Sequence, residues 1–267
     1  MRGDLVVLLG AIWLASCSKN KNYDDILVIG HAATGLEIMN SVYHDNSREA
    51  FEFALSIDGS DGVELDVQMS KEGNLWFYHD SDLESQTDGE GCIPDRTSVE
   101  LSGLKYKSIH QEKLFSLQQL DTALLTGKHL FLDLRHLNEC DGIFVPVENI
   151  ILQLNLLGFD DAKSYTVHCI TGYDAWITPL VAAGFNVCFS VYSMDEVTQC
   201  ELMYPELEGY VVKNKDFTSD EVSSIRAANK KVYIFEVRSP KGIRKALKKH
   251  PDGVISDDIR ATLIEQN

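Results

Sequence analysis

The alternation of strand-like and helix-like segments is the feature that most constrains the fold of this chain. From Ile26 onward, short runs rich in β-branched and aromatic residues take turns with stretches of helical periodicity. Strands that alternate with helices at this spacing are typical of parallel βαβ units. Eight such units in about 240 residues predict an α/β fold, a closed (β/α)8 TIM barrel. The predicted strands are residues 26–30, 62–68, 129–135, 165–170, 186–192, 209–214, 231–237 and 253–257.

One long segment interrupts this rhythm. Residues 75–114, after the second predicted strand, are rich in Gly, Ser, Asp and Thr, and residues 116–126 then resume a helical pattern. We expect an insertion that passes over one mouth of the barrel, within a single domain spanning residues 26–267. A doubly wound open sheet is the alternative, but it needs fewer strands and a glycine-rich phosphate loop. No GxGxxG or P-loop motif occurs, which argues against dinucleotide and P-loop chemistry.

The N-terminus has the composition of an export signal. Leu5 to Leu14 form an apolar run that is too short to span a bilayer and typical of a secretion signal. The run ends in Leu14-Ala15-Ser16-Cys17, which resembles the bacterial lipobox. We therefore expect a lipoprotein signal peptide at residues 1–16, a lipid anchor on Cys17 and a tether at residues 17–25. This predicts anchoring to the bacterial cell envelope, on the periplasmic side or at the cell surface. An ordinary signal followed by a chance cysteine is the alternative.

Net charge argues against one class of partner. The sequence contains 24 Lys and Arg residues against 41 Asp and Glu residues, a net charge of −17. A nucleic acid is therefore a poor partner, because its phosphates need a basic face. A small anionic substrate is compatible with this charge if a metal ion or a local basic group reverses the field at the site. The sequence predicts no protein partner.

Carboxylates within two predicted strands indicate a metal site. Glu64 and Asp66 are two residues apart, so their side chains lie on the same side of a strand. The apolar residues beside them suit the outer, helix-covered face of a barrel, so the two acids must face its interior. Asp133 and Arg135 repeat this spacing in the third predicted strand. Converging carboxylates repel one another unless a cation is bound, and oxygen ligands favour Mg²⁺, Ca²⁺ or Mn²⁺ over zinc.

Several short motifs become specific only when they are taken together, in their order and spacing. They are Gly30-His31, Asn46-Ser47-x-x-Ala50-Phe51, Glu64-Leu65-Asp66-Val67, His79-Asp80, residues 114–120 (LFSLQQL) and residues 252–257 (DGVISD). In combination they resemble the glycerophosphodiester phosphodiesterase family, over residues 26–260. The family fold is a TIM barrel with one insertion after the second strand, in agreement with the alternation described above.

The resemblance implies an enzyme that hydrolyses small phosphodiester substrates, the glycerophosphodiesters, to an alcohol and glycerol 3-phosphate. It implies that His31 and His79 are the general acid/base pair. It also implies that Glu64, Asp66 and Asp133 bind one divalent cation, Mg²⁺ or Ca²⁺, with Mn²⁺ as the alternative. A Lewis acid offsets charge on the phosphate oxygens, and histidine exchanges protons near neutral pH.

Four further residues complete the predicted substrate-binding set. The resemblance implies that Arg135 contacts the phosphate. Asn46 belongs to one of the shared motifs, Glu236 lies near the end of a predicted strand, and His168 lies within another. For His168 the alternative is a core histidine with a buried partner, and for Glu236 it is a salt bridge at the rim.

Three departures from the family pattern concern the substrate more than the reaction. Ala32 stands where the family usually has Arg directly after the first His, so one phosphate contact is missing. Arg135 replaces a usual Lys, and Asp133 replaces a usual Glu. A phospholipase-like head-group hydrolase, of the sphingomyelinase D or phosphatidylinositol phospholipase C type, is one alternative. A catalytically silent lipoprotein that only binds a ligand is the other.

Overall fold

The fold is that of a computed structural model, which describes residues 23–36, 38, 41–135, 145–159 and 164–267. The predicted signal peptide, Cys17 and most of the predicted tether lie outside the described residues. No helix within the described ranges is long and apolar enough to cross a membrane.

The described strands form one sheet, and eight of them close into a parallel barrel. Closure occurs where the first strand pairs with both the second and the last. One short strand adds to the second strand in antiparallel fashion. The predicted (β/α)8 barrel is confirmed. The strands are β1 (Leu27–Gly30), β2 (Gly62–Met69), β3 (Leu75–Phe77), β4 (His129–Leu134), β5 (Thr166–Thr171), β6 (Asn186–Val191), β7 (Gly209–Lys213), β8 (Lys231–Val237) and β9 (Gly253–Ser256).

Helices connect successive strands and cover the outside of the barrel. Most begin at a side chain that accepts a hydrogen bond from the first turn, as Ser47 does from the Ala50 backbone N–H at 3.1 Å. The helices are α1 (Arg48–Ser56), α2 (Ser98–Gly103), α3 (Val147–Leu156), α4 (Ile177–Ala182), α5 (Met194–Met203), α6 (Ser219–Ala227), α7 (Pro240–Leu247) and α8 (Ile259–Gln266).

Strand alternation divides the core into two parts. Outward-facing residues such as Val63, Leu65 and Val67 pack under the helices in the main apolar cluster. The smaller inner cluster fills the barrel itself. Because successive side chains point to opposite faces, the acids between the outward-facing valines and leucine must point inward. The inner cluster consists of Ile29, Phe131, Ile170, Cys188, Val211, Tyr233 and Ile255.

The insertion after β2 contains β3, α2 and a small apolar cluster of its own around Trp76 and Tyr106. The helix expected over residues 116–126 is instead two short 3₁₀ turns, Leu117–Gln119 and Thr122–Leu125. Asp121 explains the break, since its side chain accepts a hydrogen bond from the Ala123 backbone N–H and starts the second turn.

Candidate active site

The C-terminal ends of the barrel strands surround a cavity of about 310 Å³. Active sites of TIM barrels lie at this face, where the strands end and the following loops begin. The nine predicted catalytic, metal-binding and substrate-binding residues all lie within the described ranges, and seven of them line the cavity. Those seven are His31, Glu64, Asp66, His79, Asp133, Arg135 and Glu236.

Three carboxylates form an acidic cluster at the cavity floor. Asp66 on β2 lies opposite Asp133 on β4, and one oxygen each of Glu64, Asp66 and Asp133 lies within 4.8 Å of the others. Burial raises the pKa of Glu64 well above its ordinary value, and the neighbouring charges of Asp66 and Asp133 add to this shift. Burial also raises the pKa of Asp133. This crowding of oxygen donors fits a hard divalent cation, whose charge would offset the repulsion.

Arg135 lies beside two carboxylates of the acidic cluster and lines the cavity with them. Its Nη1 atom lies 3.3 Å from Asp66 Oδ1 and 3.4 Å from Asp133 Oδ2. These two carboxylates raise the pKa of the guanidinium against the opposing effect of its own burial. Arg135 therefore remains charged and lines the cavity, as the predicted phosphate contact requires.

Asn46 lies behind the acidic cluster and does not line the cavity. Its Nδ2 donates to Asp66 Oδ2 at 2.8 Å, and its Oδ1 accepts from the Asp66 backbone N–H at 3.0 Å. The residue is fully buried and has a φ of 53°, a left-handed conformation that asparagine tolerates better than most residues. This placement does not support the predicted substrate contact. Asn46 instead fixes the orientation of the Asp66 carboxylate.

His31 follows β1 in a tight turn whose conformation needs Gly30. A Cβ at Gly30 would lie 1.9 Å from the Ala33 carbonyl oxygen. The His31 Nδ1 atom is 2.7 Å from Asp257 Oδ1, and its Nε2 atom is 3.9 Å from Glu64 Oε2. Since Nδ1 is held by Asp257, Nε2 is the nitrogen available to the acidic cluster and the cavity.

The backbone after His31 is strained, and its conformation directs an N–H group at the acidic cluster. Ala32 and Ala33 have φ values of 43° and 74°, a region that costs energy for residues with a side chain. In this conformation the Ala32 N–H donates to Glu64 Oε2 at 2.8 Å. Ala32, which departs from the family pattern, thus contacts the acidic cluster through its backbone N–H.

His79 follows β3 and has its own carboxylate partner. Its Nδ1 atom is 2.7 Å from Asp80 Oδ1, and Asp80 in turn accepts a hydrogen bond from Ser85 Oγ at 2.7 Å. Burial opposes the charged imidazolium, but the hydrogen bond from His79 to Asp80 and the charge of Asp66 outweigh burial and raise the pKa of His79. That hydrogen bond lowers the pKa of Asp80.

The rim of the cavity carries an ion pair. Glu236 Oε1 lies 3.1 Å from Lys213 Nζ, which also lies 5.4 Å from the centre of the Tyr192 ring. Glu236 has a φ of 57°, and the register of β8 shifts between Ile234 and Val237. Such irregularities re-aim side chains beside active sites. The salt bridge expected as the alternative for Glu236 is present, and the same residue still faces the cavity.

His168 lies near the opposite, N-terminal end of the barrel. It packs against the Phe131 ring at a centroid distance of 4.2 Å and is 2.7 Å from Glu208 through Nδ1. It does not line the cavity, so its placement supports the alternative, a buried histidine with a partner.

Two residues absent from the predicted set complete the site. Asp257, which holds His31, also accepts from Arg238 Nε at 3.1 Å. Arg238 follows β8 and lines the cavity with about half of its side chain exposed. Asp257 ends one of the shared motifs, so the sequence did contain a signal for it. Arg238 belongs to no motif, and only strand order brings it beside His31.

The fold and this arrangement define a TIM barrel with an acidic cluster and two carboxylate-paired histidines at its mouth. A model of the glycerophosphoryl diester phosphodiesterase family matches residues 35–134. A glycerophosphodiester phosphodiesterase from Bacillus altitudinis is 26% identical over 232 residues, which cover 80% of this chain and 89% of that protein. One from Caldanaerobacter subterraneus is 37% identical over 78 residues, 29% of this chain and 30% of that protein.

Solved structures share the fold. A phosphodiesterase from Oleispira antarctica, in complex with the product sn-glycerol-3-phosphate, superposes with a TM-score of 0.76 at 22% identity, over 90% of this chain and 96% of that one. A glycerophosphoryl diester phosphodiesterase from Parabacteroides distasonis gives a TM-score of 0.69 at 19% identity, over 90% and 85% of the two chains. The chain is thus similar to glycerophosphoryl diester phosphodiesterases in sequence over residues 35–134 and shares their fold.

Proposed function

We propose that this protein hydrolyses glycerophosphodiesters to an alcohol and glycerol 3-phosphate. The observation that carries the proposal is the convergence of three carboxylates and two histidines on one cavity. The family match and the Bacillus altitudinis relative support the same reaction class. A silent binding protein or a phospholipase-like enzyme is less well supported, because all five groups that the family pattern implies are present and face one cavity.

The two histidines exchange the protons of the reaction. Asp257 and Asp80 hold the Nδ1 atoms of His31 and His79, which leaves each Nε2 as the nitrogen for proton transfer. A carboxylate behind a histidine fixes its tautomer and stabilises its charged form. His79, whose pKa is raised, is the candidate proton donor to the leaving alkoxide. His31 then accepts the proton of the attacking hydroxyl or water.

The acidic cluster holds the cation. Glu64, Asp66 and Asp133 supply only oxygen atoms, a donor set that suits Mg²⁺ or Ca²⁺, with Mn²⁺ as the alternative. When bound, the ion stabilises negative charge on the phosphate. Asn46 and the Ala32 N–H keep two of the ligands oriented, and neighbours of this kind commonly tune metal affinity.

Two arginines bind the phosphate. Arg135 lines the cavity beside the acidic cluster, and Arg238 lines it beside His31. Arg238 uses Nε for Asp257, and no group among the described residues accepts a hydrogen bond from its Nη atoms. Those donors are available to a phosphate oxygen, so Arg238 supplies a positive charge that the Ala32 side chain cannot. Glu236 remains a predicted substrate contact at the rim.

Turnover by the purified protein tests the proposal. Glycerophosphocholine, glycerophosphoethanolamine, glycerophosphoinositol and a lysophospholipid are compared in EDTA and then with Mg²⁺, Ca²⁺ or Mn²⁺. We expect metal-dependent release of glycerol 3-phosphate from at least one glycerophosphodiester, and none from the His31→Gln/His79→Gln double variant. Turnover of the lysophospholipid alone would instead establish the phospholipase-like alternative. Metal and ligand binding without any turnover would establish the silent binding protein.

The N-terminal lipid anchor on Cys17 is also part of the proposal, with localisation at the bacterial cell envelope. The lipobox-like sequence supports it. The disulfide bond of Cys92 also supports export, because such bonds persist in oxidising compartments. Mass spectrometry of the membrane-extracted protein should show a diacylglyceryl-modified N-terminal Cys17. Cys17→Ser should lose the modification and leave the membrane fraction, and an unmodified wild-type N-terminus would contradict the anchor.

A further inference from the structure

A second group of metal-ligating side chains lies inside the barrel, near its N-terminal end. His168, Cys188 and Glu208 each offer one ligand atom, and these atoms all lie within 4.8 Å of one another. Glu208 Oε2 lies 2.7 Å from His168 Nδ1 and 3.6 Å from Cys188 Sγ. None of the three lines the active-site cavity. We name His168, Cys188 and Glu208 the lower cluster.

Strand register brings the lower cluster together. His168 is on β5 and Cys188 on the adjacent β6, and Cys188 pairs with Gly209, the residue after Glu208. Two residues further along the same strands, Ile170 and Ser190 line the active-site cavity. Because side chains two apart share a face, the barrel interior carries the lower cluster beneath the cavity.

We propose that the lower cluster binds one borderline-soft divalent transition-metal ion, of which Zn²⁺ is the prototype. Imidazole, thiolate and carboxylate are the ligands zinc takes in proteins, commonly three from the protein with water in the fourth position. A thiolate disfavours Mg²⁺ and Ca²⁺, which prefer oxygen. The Glu208 side chain is 24% exposed, which provides a route of access to an otherwise buried group.

A fourth residue orients the histidine. His129 Nδ1 lies 3.0 Å from His168 Nε2, so the ring nitrogen on the far side of His168 is already engaged. Metal-ligating histidines commonly bond a partner through the second nitrogen, which fixes the tautomer. Without a metal, His168 Nδ1–H donates to Glu208; in the tautomer whose Nε2–H donates to His129 Nδ1, the Nδ1 lone pair faces Cys188 and Glu208 and can bind a metal. His129 is therefore a positioning residue.

The proton balance of binding is simple. The metal replaces the proton of the Cys188 thiol, which leaves to solvent, and the Nδ1 proton of His168 is redistributed within the histidine pair without net loss. Because the metal competes with protons for its thiolate and imidazole ligands, metal affinity should increase with pH.

Cobalt provides a probe that separates the lower cluster from the acidic cluster. Titration of Co²⁺ into the metal-stripped protein should produce a thiolate-to-cobalt charge-transfer band in the near ultraviolet, saturating at one equivalent. Oxygen ligands give no such band, so Glu64→Gln should retain it. Cys188→Ser should abolish it and keep phosphodiesterase activity. His129→Gln should weaken Co²⁺ binding by about 10–100-fold.

The wild-type protein alone makes the proposal falsifiable, whatever the variants do. Native mass spectrometry after Zn²⁺ addition and dialysis should show zinc retained by the wild-type protein and lost on acidification, and Glu64→Gln should still retain one ion. No thiolate band and no retained zinc in the wild-type protein would overturn the proposal and identify the lower cluster as a hydrogen-bonded polar plug. Phosphodiesterase turnover is independent of this result, so failure here leaves the proposed function intact.

Discussion

The two ends of the barrel interior use the same architecture for different chemistry. At the C-terminal mouth, Glu64, Asp66 and Asp133 present only oxygen atoms to a cavity. Near the N-terminal end, His168, Cys188 and Glu208 present nitrogen, sulfur and oxygen. Both groups arise because inward-facing positions recur every second residue on neighbouring strands. Strand register brings the donor atoms together, whereas residue type decides which ion they suit.

Histidine substitutions at the two ends of the barrel should differ most in their effect on catalytic turnover. His31→Ala or His79→Ala should lower turnover by about 10²–10⁴-fold, because a positioned proton donor or acceptor contributes that much. His168→Ala, at the other end, should leave turnover within a few-fold of wild type, provided that circular dichroism shows an intact fold. Near-wild-type turnover in either His31 or His79 variant would show that its acid/base assignment is wrong.

Loss of Arg238 at the barrel mouth should have the next largest effect on catalytic efficiency. Arg238→Gln should lower kcat/KM by roughly 10–100-fold, since a hydrogen bond to a charged group is worth about 1.5–3 kcal/mol. Adding Ala32→Arg to that variant should recover part of this activity, because it introduces the phosphate-binding side chain of the family pattern. Arg244→Gln, in an ion pair on a helix outside the cavity, is the matched control.

The pH profile of Arg238→Gln separates binding from positioning. An unchanged profile with a raised KM fits a direct phosphate contact. A displaced profile with KM unchanged would show that Arg238 acts instead through Asp257 on His31.

A residue that orients one carboxylate should distinguish the acidic cluster from the lower cluster. Asn46→Gly removes the amide that holds Asp66 and tolerates the left-handed backbone, so the affinity for Mg²⁺ or Ca²⁺ should fall by about 10–100-fold. The cobalt–thiolate band of the lower cluster should not change. Isothermal titration calorimetry measures the first quantity and absorption spectroscopy the second. An equal loss in both would mean that the substitution disturbs the whole barrel.

The smallest expected effect is a change in the pH dependence of kcat. The pKa of His79 lies above its ordinary value of 6.5, so a proton donor at this position is lost only as the pH rises through that raised value. Asp80→Asn removes the carboxylate partner that raises the pKa of His79, and the alkaline limb of kcat should move to lower pH. A pH series of kcat in wild type and variant measures this shift. An unmoved limb would assign it to another group.

The direction in which a side chain points could be predicted from the sequence where local periodicity determines it. Val63, Leu65 and Val67 predict the outer face of β2, and the inward direction of Glu64 and Asp66 follows from them. Asn46 was expected to contact substrate, and the structure places it against Asp66 instead. A motif shows that a residue type is needed but does not distinguish the substrate side of a carboxylate from its rear.

Depth along a strand is the second quantity that local patterns do not contain. Glu64 and His168 both face the barrel interior, yet one lines the cavity and the other lies near the far end. The registers align Glu64 with Phe131 and Phe131 with His168, so the difference in height comes from the tilt of the strands in the closed barrel.

Local sequence patterns predicted the eightfold alternation, the inward direction of the acids and the order of the motifs around His31, Glu64 and His79 along the chain. These properties depend on side-chain period and turn chemistry, which act over a few residues. Only the tertiary structure decided that Arg238 lies beside His31 and that Cys188 meets His168 and Glu208. Those contacts join residues on or next to different strands, and they form only when the strands pair in their tertiary registers, which no local segment encodes.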